Sequence, residues 1–454
     1  MSDFMHRYLP VTAEDRKAML ETIGVDSIED LFADIPASVR DRIEEAYKNL
    51  PEPLTEIALK KHTKALADKN ISANQATMFL GAGVYDHFIP AVVNAIISRQ
   101  EFLTAYVPYQ PEVAQGELQA LFEYQTMLCE LTGMYVSNDS TYDGFVSIGE
   151  ACNLATKAAK RSKVLISKAV HPQGLETMKT YGFGMEYDVE EIGLDGDVTD
   201  LKELEEKFDD EVGAIVVQYP NFFGSIEDLK AIRDLMGKKP KANLIVVANP
   251  LALAVLESPG ALGADIVVGD TQPFGIGMQY GGPHAGYIAT TKKLMRKLPS
   301  RIVGETVDSR GNRGYCMTMQ TREQHIRREK ATSNMSSNQA LLALTSAVFM
   351  SAVGKEGVIE MAKRNINKAH YLADKLKEAG FDVLNKGAFF NEFVVDVKKD
   401  VKAVNDALLE KSIIGGYDAS DAYGHDHAML VCATEKRTKD EIDTFVDALV
   451  EVAK

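Results

Sequence analysis

The chain has 454 residues, of which 45% are hydrophobic and 26% are charged, and its formal net charge is −16. This length exceeds an ordinary single domain and predicts a large domain with a smaller one. The acidic balance argues against nucleic acid or an anionic membrane as the main partner. None of the four cysteines belongs to a C-x-x-C pair or has metal-ligand spacing to histidine, so we predict reduced thiols and no metal site.

The N-terminal part, residues 1–69, is predicted to be a helical segment. Its first ten residues, MSDFMHRYLP, lack the apolar core of a secretory signal, so we expect a cytoplasmic protein. Thr12 precedes Ala-Glu-Asp, an approximate capping box that should open the first helix. A short helix starting at Ser27 and helices over residues 37–49 and 55–69 are expected to follow.

Residues 70–335 are predicted to form a large α/β domain. Helical stretches separate most of its short apolar runs, a spacing typical of crossover connections in a mostly parallel sheet. The crossovers should be right-handed. The runs predicted as buried strands are Val164–Ile166, Ala214–Val217, Leu244–Val247, Ile266–Val268 and Tyr287–Ala289, and helices are expected at 149–159, 175–180 and 226–236.

Residues 336–454 change character and are predicted to hold a helix and a small α+β domain. Apolar residues recur at intervals of three and four from Val358 to Leu376, and Gly380 follows as a helix stop. The apolar stretch Ala340–Val353 is too short to cross a bilayer. Strands near 393–397 and 429–432 and helices near 401–410 and 439–452 should complete this part.

The segment Leu103–Leu118, LTAYVPYQPEVAQGEL, is the first of several stretches that could carry function. It crowds tyrosines, prolines, glutamines and glutamate into an irregular segment just before a helix. One interpretation is a surface loop stiffened by proline. The other is a binding element, because loops dense in aromatic and amide side chains often bind ligands or partners from a rigid scaffold.

Two glycine-containing turns are the next candidates. Asp143-Gly144 leads into a helix expected to start near Ser147, and free N–H groups at such a helix end can bind an anion, although many such turns hold nothing. The second runs from Gly263 to Gly286, where a buried strand enters a glycine-rich loop that ends at His284. In doubly wound folds, ligands bind at the carboxyl ends of the strands.

A basic cluster follows in residues 321–334, TREQHIRREKATSN. It includes Arg322, His325 and Arg327. A solvated basic face would explain the cluster, but in a chain of net charge −16 it also indicates contacts with an acidic ligand or partner surface.

These blocks resemble the P-protein family of the glycine cleavage system, within the fold type I superfamily of pyridoxal phosphate (PLP) enzymes. The similarity runs over nearly the whole chain. It includes MHRYLP with DSIEDLFADIP, YVPYQPEVAQGELQALFEYQTM, STYDG, GADIVVGDTQPFG with YGGPHAGY, and QTREQHIRREKATSN. Some members are single chains of two homologous halves and others are separate α and β subunits. This chain resembles the N-terminal half, or α subunit.

The resemblance implies a degenerate cofactor site. The catalytic half of the family carries the Schiff-base lysine before its glycine-rich run, and matching Phe274 and Gly281-Gly282-Pro283 places Gln272 at that position. A glutamine amide cannot form the Schiff base. The strand that should end in a carboxylate for the pyridine nitrogen instead runs into Asn249-Pro250. His171 sits where a ring-stacking side chain is common, and we interpret it as a remnant or a core histidine.

The resemblance also implies the partners and the reaction. A β subunit would hold PLP, glycine would lose CO2, and the aminomethyl group would pass to the lipoyl arm of the H-protein. We expect two α and two β chains. As a hypothesis, the Tyr106–Gln115 loop supplies part of the wall of the β-held site and part of the subunit interface. The residues expected to do so are Tyr106, Pro108, Tyr109, Gln110, Glu112 and Gln115. Anion or partner contacts are expected at Asp143, Gly144, His284, Arg322, His325 and Arg327.

Two other interpretations stay open on the sequence. A stand-alone PLP aminotransferase or decarboxylase would need its lysine elsewhere, but Lys168 comes too early, and Lys292 and Lys293 come a strand too late. A structural or regulatory partner of the β subunit would contribute no active-site group at all.

Overall fold

A computed structural model describes residues 10–237 and 241–453. The chain divides into two compact units, Met1–Ile71 and Ser72–Lys454. The first nine residues, and with them most of the MHRYLP block, lie outside the described residues. Where the boundary between the predicted large and small C-terminal domains falls stays a prediction.

The first unit is helical, as predicted. Its helices are α1 (Ala13–Ile23), α2 (Ala37–Tyr47) and α3 (Glu56–Ala67), with a 3-10 turn at Glu29–Phe32 in place of the short helix expected from Ser27. The capping box is confirmed, because the Thr12 hydroxyl accepts from the Asp15 N–H at 3.1 Å and the Asp15 carboxylate accepts from the Thr12 N–H at 2.9 Å.

A seven-stranded sheet forms the centre of the second unit. Its strands are β1 (Val136–Ser137), β2 (Lys163–Ser167), β3 (Asp188–Ile192), β4 (Val212–Tyr219), β5 (Asn243–Ala248), β6 (Ile266–Asp270) and β7 (Gly286–Thr290). Their order is β1-β7-β6-β5-β4-β2-β3. Neighbouring strands from β6 to β3 are parallel, and β7 is antiparallel to both neighbours, so the mostly parallel sheet is confirmed.

The sheet is buried on both faces, which explains why its strands read as apolar runs rather than alternating ones. Leu165 faces a core that includes the helices Gln115–Thr132 and Ala340–Glu378, whereas Val164 and Ile166 face a core that includes the helix Gly144–Ala159. The helices of this unit are α4 (Ala91–Ile97), α5 (Gln100–Leu103), α6 (Gln115–Thr132), α7 (Gly144–Ala159), α8 (Pro172–Met185), α9 (Leu201–Lys207), α10 (Leu229–Met236), α11 (Gln324–Arg327), α12 (Ala340–Glu378), α13 (Val401–Leu409), α14 (Ser420–Tyr423) and α15 (Lys439–Ala453).

Helix α12 corrects one prediction. The stretch Ala340–Val353 is part of a helix of 39 residues that breaks its regular geometry at Gly354 and ends before Gly380. By length and composition this helix could cross a membrane, with a mean hydropathy of 1.4 in its most apolar window, so the prediction that it is too short was wrong. Its buried side chains, among them Phe349 and Leu372, contribute to the core, as those of a core helix do.

Two smaller sheets complete the second unit. A hairpin pairs β8 (Ile302–Val307) with β9 (Arg313–Thr318). The C-terminal sheet has the order β10-β11-β13-β12, with strands β10 (Asp382–Val383), β11 (Glu392–Asp396), β12 (Tyr417–Asp418) and β13 (Ala428–Cys432). Its core packs against α12, α13 and α15. Two-residue strands also pair at Thr77–Met78 with Ile413–Ile414 and at Leu194–Asp195 with Val198–Thr199.

Candidate functional site

A cavity of about 380 Å³ lies at the carboxyl ends of the central strands, where the fold is expected to bind ligands. We call it the strand-end cavity. It brings together three of the predicted elements, namely the turn before α7, His171 before α8 and the loop after β6. The loop 82–85 and the start of β11 close it from the other side. Its lining includes Tyr85, Asp143, Gly144, His171, Asn249, Asp270, His284, Asn391 and Glu392.

The helix end predicted as an anion site is occupied by the chain's own carboxylates. Helix α7 begins at Gly144, three residues before the predicted start at Ser147, because the Asp143 side chain caps it by accepting from the Val146 N–H at 2.8 Å. The Gly144 N–H donates to Asp270 Oδ2 at 3.1 Å. A foreign anion would have to displace Asp270 and would be repelled by both carboxylates.

His284 completes this carboxylate cluster instead of facing an open anion site. Its Nδ1 lies 3.6 Å from Asp270 Oδ1. Asp270 raises the pKa of His284, against the opposing effect of burial. His284, predicted to contact an anion or a partner, therefore lies beside a carboxylate of the same chain, Asp270.

His171 is held as a neutral ring. Its Nε2 donates to the Ala82 carbonyl at 3.0 Å and its Nδ1 accepts from the Gln173 N–H at 3.1 Å, which leaves no position for a second proton. Burial lowers the pKa of His171 to about 4. The ring packs between Phe145 and Phe222, with centroids 4.7 and 4.8 Å away. The side chain therefore serves packing and loop positioning.

Gln272 occupies the expected lysine position as a structural amide. It is 1% exposed. Its Oε1 accepts from the Tyr85 N–H at 3.1 Å, and its Nε2 donates to the carbonyls of Tyr85 at 2.8 Å and Ile276 at 3.1 Å. The amide thus pairs with both backbone groups of Tyr85, as a neighbouring strand would.

The strand-end cavity does not fit PLP. Its lining contains no lysine for a Schiff base and no arginine for the phosphate. Carboxylates stand at the helix end that would hold the phosphate. At the end of β5, where a carboxylate would face the pyridine nitrogen, Asn249 instead accepts from the Leu251 N–H at 3.0 Å.

Sequence reasoning missed the contact that closes the cavity. Glu392, at the start of β11, accepts from the Tyr85 hydroxyl at 2.6 Å and from the Ala82 N–H at 2.9 Å. Burial raises the pKa of Glu392 to about 7. The available signal was a lone glutamate inside the apolar run FFNEFVV, since a buried carboxylate in such a run needs partners.

The predicted interface loop, residues 106–115, lies on the surface. Tyr106 is 76% exposed and its hydroxyl lies 2.8 Å from Ser337 Oγ. Pro108 is buried, whereas Tyr109, Gln110, Glu112 and Val113 are exposed. A concave surface of about 660 Å³ follows the loop. The loop therefore exposes aromatic, amide and carboxylate side chains to solvent.

Gln115 differs from the other members of this set. Its side chain accepts from the Tyr315 N–H at 2.8 Å and donates to the Tyr315 carbonyl at 2.9 Å. It also donates to the Pro111 carbonyl at 2.6 Å. The Gln115 side chain therefore joins the loop to β9 and also links two residues within the loop.

A buried polar network supports the 106–115 loop from behind. Arg301, 3% exposed, donates to the Tyr109 hydroxyl and to the Ser336 carbonyl, and its guanidinium lies 5.1 Å from the Tyr109 ring centroid. Asp139 accepts from Asn338 at 2.5 Å and from the Ser140 N–H at 2.7 Å. Burial raises the pKa of Asp139 to about 7. Sequence reasoning did not find this network.

The basic cluster lies apart from the strand-end cavity. Arg322 donates to the Leu298 carbonyl, and His325 Nδ1 lies 3.6 Å from Glu323 Oε2. Arg327 is exposed. Arg322 and Arg327 line a different concave surface, together with Lys330.

Comparisons with known proteins show the family of this chain. The glycine cleavage system P-protein family matches residues 6–449. The chain belongs to the P-protein family. It is 58% identical over 452 residues to the probable glycine dehydrogenase (decarboxylating) subunit 1 of Geobacillus kaustophilus, covering 98% of this chain and 99% of that one. The Staphylococcus carnosus protein of the same name is 54% identical, with the same coverage.

Solved structures place this P-protein family member in fold type I. A crystal structure of a glycine decarboxylase (P-protein) of the glycine cleavage system, in inhibitor-bound form, superposes with a TM-score of 0.91 and is 42% identical, covering 98% of this chain and all of that one. An alanine–glyoxylate aminotransferase from Nostoc, at 17% identity and a TM-score of 0.60, shares the fold alone. The fold predicted from the sequence is confirmed.

Proposed function

We propose that this chain is the α subunit of a two-subunit glycine decarboxylase and that the PLP of the assembly is held by the β subunit. The carrying observation is the strand-end cavity. Its Schiff-base position is Gln272, whose amide is already bonded to Tyr85, and its phosphate position is blocked by Asp270. A family member whose own site rejects the cofactor needs a second chain for the chemistry.

In this proposal PLP, held by the partner, supplies the electron sink for loss of CO2 from glycine, and the lipoyl arm of the H-protein accepts the aminomethyl group. This chain contributes surface. The 106–115 loop is stiffened by prolines, anchored to β9 through Gln115 and supported by Arg301, so it can present Tyr106, Tyr109 and Glu112 to a partner with little loss of conformational freedom. It would exclude water from the β-held site.

The assembly is proposed to contain two α and two β chains in the cytoplasm. Exposed tyrosines and a valine along one concave surface are the composition expected of an interface centre, where aromatic residues are enriched. A purely structural or regulatory role remains the alternative to active-site completion. It predicts that loop variants which still assemble keep full turnover.

Reconstitution tests the proposal. The chain alone, the β subunit alone and their mixture would be assayed for CO2 release from glycine with lipoylated H-protein. We expect release only from the mixture. Release by the β subunit alone at the rate of the mixture would contradict a catalytic contribution from this chain, and release by this chain alone would revive the stand-alone enzyme.

A further inference from the structure

A second surface cleft, with a volume of about 630 Å³, concentrates positive charge. We call it the basic cleft. Among its ten lining residues six are cationic and none is acidic. They come from the end of α7, the turn after β7 and the segment after β9, so three separate parts of the chain converge. The six are Lys157, Arg296, Lys297, Arg322, Arg327 and Lys330.

Ion pairing sets this cleft apart from other basic surfaces of the chain. At the edge of the central sheet, Lys163 pairs with Glu190 at 2.7 Å and with Asp209 at 3.1 Å, and Lys207 pairs with Glu203 at 2.7 Å. None of the six cations of the basic cleft pairs with a described carboxylate at 4.0 Å or less. In a chain of net charge −16, six converging cations without an ion pair at that distance concentrate positive charge locally, although Glu323 and Asp139 act on Arg322 from further away.

Arg322 carries a more specific signal. Its Nη1 donates to the Leu298 carbonyl, but its Nε and Nη2 are buried without a hydrogen-bond partner. Those two N–H groups lie on one edge of the guanidinium, the edge that binds a carboxylate through two parallel hydrogen bonds. Glu323 Oε1 is also buried without a partner, so the neighbouring carboxylate does not satisfy this edge.

The number of cations indicates the kind of anion. One small dianion would be neutralised by two or three of them and would leave the others repelling each other. A surface with several carboxylates can place one near each cation, and such complementary patches accelerate association between proteins. All six side chains are long, and four of them, Arg296, Lys297, Arg322 and Lys330, lie in short 3-10 turns.

We propose that the basic cleft docks an acidic protein surface, that of the lipoyl-carrying partner. This inference rests on the proposed function, because it names the place where the carrier would bind while its arm enters the β-held site. It makes the segment 321–334 a docking element of the α subunit.

Charge reversal in the assembled αβ enzyme tests the docking. The variant Arg327→Glu/Lys330→Glu changes two exposed cleft residues, and Lys355→Glu/Lys363→Glu makes the same charge change on exposed residues of α12 that have no described ion pair. KM for the lipoylated carrier and kcat would be measured at low and high salt. We expect the cleft variant to raise KM roughly 10- to 100-fold at low salt, with kcat within about twofold and most of the salt dependence lost. The control should leave KM unchanged.

Three results would overturn the docking proposal. The first is an unchanged KM. The second is loss of αβ assembly in the cleft variant, which would assign the cleft to the β interface. The third is tight binding of inorganic phosphate to the wild-type assembly that the variant abolishes without changing KM. Binding of the carrier to the αβ assembly, followed by fluorescence anisotropy, is scored separately from turnover. Carrier binding that needs the cleft, in an assembly that releases no CO2, would contradict the proposed function and leave the docking supported.

Discussion

The strand-end cavity and the 106–115 loop show opposite uses of polar side chains. At the strand-end cavity, the lining residues Asp270 and Glu392 are bonded to other parts of the same chain, as is the buried Gln272, which precedes the lining residue Pro273. On the loop, Tyr106 and Glu112 are exposed, and the concave surface beside them is open. The first region is complete within one chain and the second is not.

The two regions therefore differ in what their polar side chains bind. Buried polar groups without partners are costly, so a cavity whose lining does not fit the cofactor is stabilised when its own groups bond each other. Tyr106 and Val113 leave most of their apolar surface exposed in this chain, and a partner that covers it would explain their place on the loop.

The largest effect on αβ assembly is expected at Val113, which is 81% exposed on the 106–115 loop. Val113→Asp places a charge at the proposed interface, and we expect αβ affinity and turnover to fall about 30-fold or more, the effect of a change above about 2 kcal/mol at an interface centre. Phe183→Asp, on α8 with Phe183 92% exposed, is the matched control. If the control disrupts assembly and Val113→Asp does not, the partner covers another face.

Near the strand-end cavity, the largest loss of folding stability is expected from a change at Gln272. Gln272→Ala removes the three hydrogen bonds to Tyr85 and Ile276, and we expect the free energy of unfolding of the isolated chain to fall by about 2–4 kcal/mol. Denaturant unfolding measures this change. Gln173→Ala, at an exposed residue of the same cavity, should be nearly neutral. Loss of turnover by folded Gln272→Ala in the αβ assembly would show that the cavity takes part in the chemistry.

Glu392 adds a pH dependence to the same contrast. Its pKa is raised to about 7 by burial, so its contribution to stability is fully present below about pH 4.5 and is lost as the pH rises through 7. Relative to wild type, Glu392→Gln should therefore gain about 3 kcal/mol of unfolding free energy between pH 4.5 and 7.5. The exposed Glu360→Gln should show no such trend. A flat difference for Glu392→Gln would mean that the carboxylate ionises normally.

The smallest effect is expected at the loop hydroxyl and carboxylate. Tyr109→Phe keeps the ring on Arg301 but loses the hydroxyl that accepts from it, and with Glu112→Gln it should lower kcat of the αβ assembly roughly three- to tenfold, the range of one or two hydrogen bonds. Tyr135→Phe, at an exposed tyrosine beside Lys292, is the control. Unchanged kcat in the loop variant would favour the structural or regulatory alternative.

Local sequence patterns predict most of the fold and part of the site. The apolar runs of β2, β4, β5 and β6 predict buried parallel strands because both faces are covered, and the Thr12 capping box follows from three residues of sequence. The start of α7 was missed because the helix starts at Gly144, where Asp143 caps it and Asp270 binds its first N–H.

Long-range contacts explain the rest. Glu392 meets Tyr85 across more than 300 residues, and Arg301 meets Tyr109 across 192, so no local pattern pairs them. Gln272 could be placed by matching the family's glycine-rich run. That its amide pairs with the backbone of Tyr85, and so fills the site, needed the structure.

Locating the PLP attachment in the active assembly tests the central claim most directly. Borohydride reduction of the αβ enzyme, followed by peptide mapping, identifies the chain and the lysine that carry the cofactor. We predict that all reduced PLP is found on the β subunit and that this chain purified alone traps none. A reduced PLP-lysine on this chain would contradict the account, because it would mean that a lysine outside the strand-end cavity forms the Schiff base.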